Sequence, residues 1–184
     1  MIECVLFVGL GNPGSQYENN RHNIGFKVIE AIAGANASSS FKKMALMVEV
    51  SAFSFEEKKI ILAKPMTFMN LSGRAVRLLM DFYKISINNV YVFHDDIDLE
   101  LGRIKIKKGG GNGGHNGLKS IDNLVGNDYW RIRIGVGRPQ EKSMVSSYVL
   151  HDFDQDQYGV MKNICSEIAK NISKLFEDDK RFDF

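Results

Sequence analysis

Cysteine is scarce in this 184-residue chain: only Cys4 and Cys165 are present. They are too far apart for a metal-ligand or redox spacing, which argues against a zinc knuckle, a disulfide scaffold and a Cys-x-x-Cys redox centre. Both sit among apolar residues, so buried free thiols in a reducing cytoplasm are expected. No apolar run approaches the about 18 residues of a membrane-spanning helix. The first apolar stretch, Val5–Val8, follows no basic segment, so we expect a strand there and not a signal peptide. Charge of one sign is also missing. The formal net charge is +2, which neither demands nor excludes a nucleic-acid partner, so the placement of the charges has to decide. Proline occurs only three times, and there is no internal repeat or low-complexity linker.

What remains is ordinary for a globular protein, with 44% hydrophobic and 25% charged residues. The length suits one domain spanning 1–184 with a proper core. Cys4–Val8 reads as a buried strand, and Ile24, Val28, Ile29 and Ile32 recur at helical spacing up to Gly34. Ala45–Phe55 and Ile60–Ala63 read as strands joined by a polar hairpin turn. Val76, Leu78, Leu79, Phe82 and Tyr83 mark an amphipathic helix, with Ser72 as its expected N-cap. Val90–Phe93 is a buried-type strand, and Arg103–Lys108 and Arg131–Val136 alternate as strands. Gly109–Gly114 leads into a helix near Asn116. Met161, Ile164, Ile168, Ile172 and Leu175 lie on one long helix. Interleaved strands and helices give the α/β class.

The chain's focus is the stretch from Gly9 to Asn23. Gly9, Gly11 and Gly14 match G-x-G-x-x-G after a strand, with Glu30 at the distance of a ribose contact. The dinucleotide fingerprint, however, needs a helix opening at the glycines, and Pro13 with the polar Ser15–Asn20 stands between. Gly109–Ser120 looks like a phosphate loop, but Leu118 interrupts the Gly-Lys-Ser order a P-loop requires. A closely approached functional loop is the better reading. His22 is the candidate general base, since histidine titrates near neutral pH. Asp95 ends a buried strand and is the candidate carboxylate to orient it, with Asp96 and Asp98 as rivals. These three acids also keep a divalent-metal reading open. Asn12, Asn70 and Asn116 each offer donors and an acceptor suited to a peptide backbone. No serine stands in a nucleophile elbow and neither cysteine has activating neighbours, which points to attack by water. Arg103, Lys105 and Lys107 share one face of a strand, with Arg131 and Arg133 on another. Such clustering reads either as phosphate contacts or as a solvated face.

At these residues the sequence resembles the bacterial peptidyl-tRNA hydrolase family. The matching segments are Val8–Gly14 with Tyr17 and Arg21–Asn23, Lys64–Gly73, His94–Asp98, Gly109–Lys119 and Arg131–Gly135, together spanning Val8 to about Leu150. The resemblance implies one compact domain with a twisted, mostly parallel mixed sheet flanked by helices. It implies hydrolysis of the ester joining a peptide's carboxyl to the 3′-terminal ribose of tRNA, by water activated at His22 and oriented through Asp95. It further implies substrate contacts from Asn12, Tyr17, Met69, Asn70, His115 and Asn116, with tRNA phosphates held by Lys105, Lys107, Arg131 and Arg133. Pro139–Ser147 would form a mobile lid. No metal or other cofactor is expected, the partner is peptidyl-tRNA and not a membrane, and the protein would be a cytoplasmic monomer. A tRNA-binding module without catalysis and a nucleotide-cofactor enzyme using Gly9–Gly14 are the competing readings.

Overall fold

In the computed structural model, which describes residues 2–177, seven strands form one sheet in the order β2-β3-β4-β1-β5-β7-β6. The strands are β1 (Glu3–Gly9), β2 (Lys42–Met44), β3 (Val48–Phe55), β4 (Lys58–Pro65), β5 (Val90–Asp96), β6 (Ile104–Lys108) and β7 (Trp130–Gly135). The helices are α1 (Ile24–Ala35), α2 (Ser72–Tyr83), α3 (Asn116–Val125), α4 (Val145–Val149) and α5 (Gln155–Lys170). The four central strands, β4, β1, β5 and β7, run parallel, while β2, β3 and β6 add antiparallel edges.

Both faces of the centre are covered, which explains why β1 and β5 read as unbroken apolar runs instead of alternating. On one face Val5, Phe7, Tyr91 and Phe93 pack with Ile24, Val28 and Ile32 of α1 and with Ile164 and Ile168 of α5. On the other, Leu6, Val8, Val90 and Val92 pack with Val76 and Leu79 of α2 and with Leu118 and Ile121 of α3. No helix among the described residues is long and apolar enough to cross a membrane.

Gly9 of the opening motif and Gly25 of α1 serve packing. A Cβ on Gly25 would stand 2.3 Å from the Leu10 nitrogen and 2.4 Å from the Phe93 carbonyl oxygen. One on Gly9 would stand 2.1 Å from the Gly25 oxygen. The start of α1 therefore lies backbone to backbone on the carboxyl ends of β1 and β5. The three residues just before α1, Arg21–Asn23, form a 3₁₀ turn that is thereby fixed at the sheet's top edge, where open α/β sheets bind ligands.

Local departures from the sequence reading have local causes. Ala45–Phe55 is not one strand: Ala45 and Leu46 take positive φ (51° and 54°) and fold a turn between β2 and β3. Ser72 does not cap α2. It is the helix's first residue, buried, and its hydroxyl donates backward to the Met69 carbonyl at 2.8 Å. The C-terminal helix stops at Lys170, and Ile172–Leu175 follows as a 3₁₀ turn that still buries Ile172 and Leu175.

Because backbone atoms cannot step aside as a side chain can, Gly25→Ala is expected to destabilise the fold by about 2–3 kcal/mol. Thermal unfolding should show Tm lower by about 4–12 °C.

Candidate active site

His22 and Asp95 meet where the sequence places them, through the pairing of β1 with β5. His22 Nδ1 lies 2.9 Å from both Asp95 carboxylate oxygens. A second histidine shares the same carboxylate, with His115 Nε2 2.9 Å from Asp95 Oδ1. His115 N-caps α3, its Nδ1 accepting from the Gly117 and Leu118 amides at 3.1 and 3.4 Å. Since Nδ1 accepts, the ring proton of neutral His115 is on Nε2, and the contact with Asp95 is a donated hydrogen bond. The same logic puts the His22 proton on Nδ1, leaving Nε2 as the basic nitrogen.

Asp95 is 3% exposed. Burial alone would raise its pKa, but the charges and hydrogen bonds of His22 and His115 hold it well below the usual carboxylate range. Burial alone would depress His22, and here the Asp95 charge and hydrogen bond outweigh it, so the net shift is upward from 6.5. His22, Asp95 and His115 also form a cluster whose ligand atoms lie within 4.8 Å of one another. A metal would need a lone pair on His115 Nε2, yet His115 Nδ1 already spends its own on two amides. The set fits hydrogen-bond donation to a carboxylate better than it fits a cation. Of the rival acids, Asp96 accepts from Arg133 Nε at 2.7 Å and Asp98 pairs with Arg138 at 2.8 Å.

Asn12 is locked by three hydrogen bonds. Its backbone N–H donates to Asn23 Oδ1 and its carbonyl accepts from Asn23 Nδ2, both at 2.9 Å. Its side-chain Oδ1 accepts from the Met69 amide at 2.7 Å. The Asn12 carbonyl oxygen is thus occupied, and its NH₂ is the end left to offer. Met69 is buried, its sulfur against Gly117 at the start of α3. Asn70 and Asn116 are chain neighbours of that contact, but both are exposed and neither is hydrogen-bonded to His22 or Asp95. Tyr17 is half-buried in its own 3₁₀ turn (Ser15–Tyr17), and no contact joins it to the His22–Asp95 pair. His115, expected as a substrate contact, donates to the Asp95 carboxylate in this structure.

A cleft of about 170 Å³ runs from His22 and Asp95 past His94 and His115 to Lys107, Arg131 and Arg133, edged by Gly111–Gly114 and by Val145 and Val149 of α4. The four basic residues differ sharply in what they can offer. Lys105 and Lys107 are exposed. The Arg133 side chain is 25% exposed despite its bond to Asp96. Arg131 is 2% exposed, and its guanidinium donates to Asp122 Oδ1 at 3.0 Å and to the Gly111 carbonyl. Its expected phosphate contact is therefore corrected to a structural one. β7 is an interior strand, and residue 131 lies beneath α3, where only a paired cation is tolerated.

Two residues whose roles the sequence reading missed flank the base. Asn23 wires His22's turn to Asn12. Arg21 is buried and donates to the carbonyls of Tyr148 and His151 at 3.2 and 3.1 Å and to Gln157 Oε1 at 2.9 Å, its guanidinium 4.2 Å over the Tyr148 ring. Arg21 thereby pins the end of the segment that follows β7 beside His22. Their signal was position alone, one on each side of His22.

The peptidyl-tRNA hydrolase family profile matches residues 6–183. Among curated relatives, the peptidyl-tRNA hydrolase of Wolbachia pipientis wMel is 51% identical over 174 residues, which is 95% of this chain and 94% of that one. That of Rickettsia bellii (strain RML369-C) is 48% identical with the same coverage. Among solved structures, peptidyl-tRNA hydrolase from Acinetobacter baumannii superposes with a TM-score of 0.88 at 35% identity, covering 95% of this chain and 89% of that one. A Campylobacter jejuni 5′-methylthioadenosine/S-adenosyl homocysteine nucleosidase, 8% identical with a TM-score of 0.56, shares the fold alone. The chain belongs to the peptidyl-tRNA hydrolase family, a family of enzymes.

Proposed function

We propose that this enzyme hydrolyses the ester between a peptide's C-terminal carboxyl and the 3′-terminal ribose of tRNA, with His22 as the base that activates water. The observation that carries the reading is His22 Nδ1 placed 2.9 Å from both oxygens of the buried Asp95, which orients the ring and leaves Nε2 free to take a proton. His22 Nε2 removes a proton from water as its oxygen attacks the ester carbonyl. The tetrahedral oxyanion then collapses, and the ribose oxygen leaves with the proton carried by His22. The fixed NH₂ of Asn12 is the donor for the oxyanion. None of the residues lining the cleft is Ser, Thr or Cys, in keeping with direct attack by water. The exposed Asn70 and Asn116 receive the peptide backbone, and Tyr17 contacts the 3′ end of the tRNA. Lys105, Lys107 and the exposed part of Arg133 take tRNA phosphates.

The deciding measurement is release of free tRNA from an N-blocked aminoacyl-tRNA, with a chelator present throughout. His22→Ala is expected to lose about 10²–10⁴-fold in kcat while still binding tRNA. Absence of turnover by the wild type, with binding retained, would leave a tRNA-binding module instead.

The pH profile follows from the upward shift of His22. Only the unprotonated ring acts as base, so kcat/KM should rise with pH through a limb lying above 6.5. Asp95→Asn removes the charge that raises this pKa. Burial then dominates, and the limb should move to lower pH as kcat falls. A limb that stays put would detach Asp95 from His22.

The two exposed lysines set the salt dependence. Lys107→Ala should weaken tRNA binding at low salt and make the log–log slope of affinity against salt shallower by about one unit. The same measurement on Arg131→Lys should show no such change in slope.

A further inference from the structure

One end of the cleft holds an unsatisfied buried pair. His94 is 2% exposed, and its Nδ1–H donates to the Asp95 carbonyl at 2.8 Å. Its Nε2 therefore carries a lone pair, and among the described residues that atom is buried without a partner. Burial first and the neighbouring His115 second push the His94 pKa down to about 4, so the ring is neutral at neutral pH. Arg131 supplies the complement, because its Nε–H is likewise buried without a partner while its terminal nitrogens hold Asp122 and Gly111. In the parallel pairing of β5 with β7, Val92 stands opposite Arg131 and His94 opposite Arg133. His94 and Arg131 are thus diagonal neighbours on one face of the sheet, and both line the cleft that contains His22.

An orphaned acceptor and an orphaned donor, on two residues that line one cleft, each forgo a hydrogen bond. A group that repairs both must accept and donate at once. A phosphate oxygen or a carbonyl only accepts, and an amide N–H only donates, whereas a hydroxyl does both. Peptide side chains vary among substrates, but ribose hydroxyls do not.

We propose that His94 Nε2 and Arg131 Nε form a hydroxyl-binding subsite that takes the 2′-hydroxyl of the terminal ribose, His94 accepting its proton and Arg131 donating to its oxygen. This rests on the esterase reading above. The subsite shares its cleft with His22, Lys107 and Arg133, in keeping with a sugar held close to its ester and to the flanking phosphates. The adjoining loop leaves open space beside the cleft: a side chain on Gly111, Gly113 or Gly114 would meet nothing within 4 Å.

The test compares kcat/KM of the full-length protein on an N-blocked aminoacyl ester of an acceptor-stem RNA whose terminal sugar is ribose or 2′-deoxyribose. The effect of the vicinal hydroxyl on ester reactivity is common to all enzyme variants and cancels when their ribose/deoxyribose ratios are compared. Wild type should favour ribose by at least about tenfold more than His94→Phe does. His94→Asn keeps a donor for the Asp95 carbonyl but has no atom at Nε2, so it should lose the preference too, covering the case in which Phe does not fold. His94→Gln, whose amide reaches the Nε2 position, should restore it. The same ribose preference in wild type and His94→Asn overturns the subsite. Equal cleavage of both substrates by wild type overturns the subsite and leaves the esterase standing, whereas cleavage of neither removes the esterase reading and the subsite with it.

Discussion

A carboxylate buried at the meeting point of three chain segments is the constraint on which this structure turns. An ion of this size taken out of water costs several kcal/mol unless its surroundings repay it. Asp95 is repaid by donors from two histidines, one just before α1 and the other capping α3, while its own strand β5 carries it to the sheet's edge. His22, Asp95 and the glycine loop are thereby held in one arrangement. Moving any of them leaves a charge without its partners.

The cations around the site divide by what burial permits. Lys105 and Lys107 lie directly across from Arg133 and Arg131 in the antiparallel pairing of β6 and β7, an arrangement that would be repulsive if all four were free. The fold relieves it by giving Arg131 to Asp122 and Arg133 to Asp96. The outer strand keeps its lysines exposed, and the inner strand's arginines are wholly or partly committed to the protein. An exposed cationic edge is in this way built on a neutralised interior.

Much of this was legible in the chain. The unbroken apolar runs of β1 and β5 gave away a sheet covered on both faces, and the strand ends they imply bring His22 beside Asp95 and Asn12. The rigid Asn12-Pro13 turn, the polar cluster after it and the glycine-rich entry to α3 were all readable from residue type and position. Other features depend on what lies opposite in space. Arg131 and Arg133 have the same spacing and the same alternation, and only the position of α3 makes one a buried strut. His115 looks like any loop histidine until the α3 amides fix its tautomer. The turn at Ala45–Leu46 carries no glycine or asparagine to announce its positive φ, so propensity there predicts a continuous strand.

Arg131 also explains how a loop with so many glycines stays in register with the base. Gly109, Gly110, Gly113 and Gly114 all take positive φ, and the loop has few side chains to hold it. Its fastenings run along its length: the Gly109 amide on the Tyr129 carbonyl, the Gly110 carbonyl on the Asn127 side chain, Gly111 on Arg131, and His115 on Asp95. Asp122 of α3 accepts from both Arg131 and the Tyr129 hydroxyl, so helix, strand and loop share one buried anchor. Asn112 ties the stretch between Gly111 and His115 as well, its carbonyl accepting from the His115 amide and its side chain joining Gly114 to Asp122. A glycine-rich wall is thereby kept in place by hydrogen bonds where it has few side chains to pack, and the imidazole–carboxylate geometry at its end is kept with it.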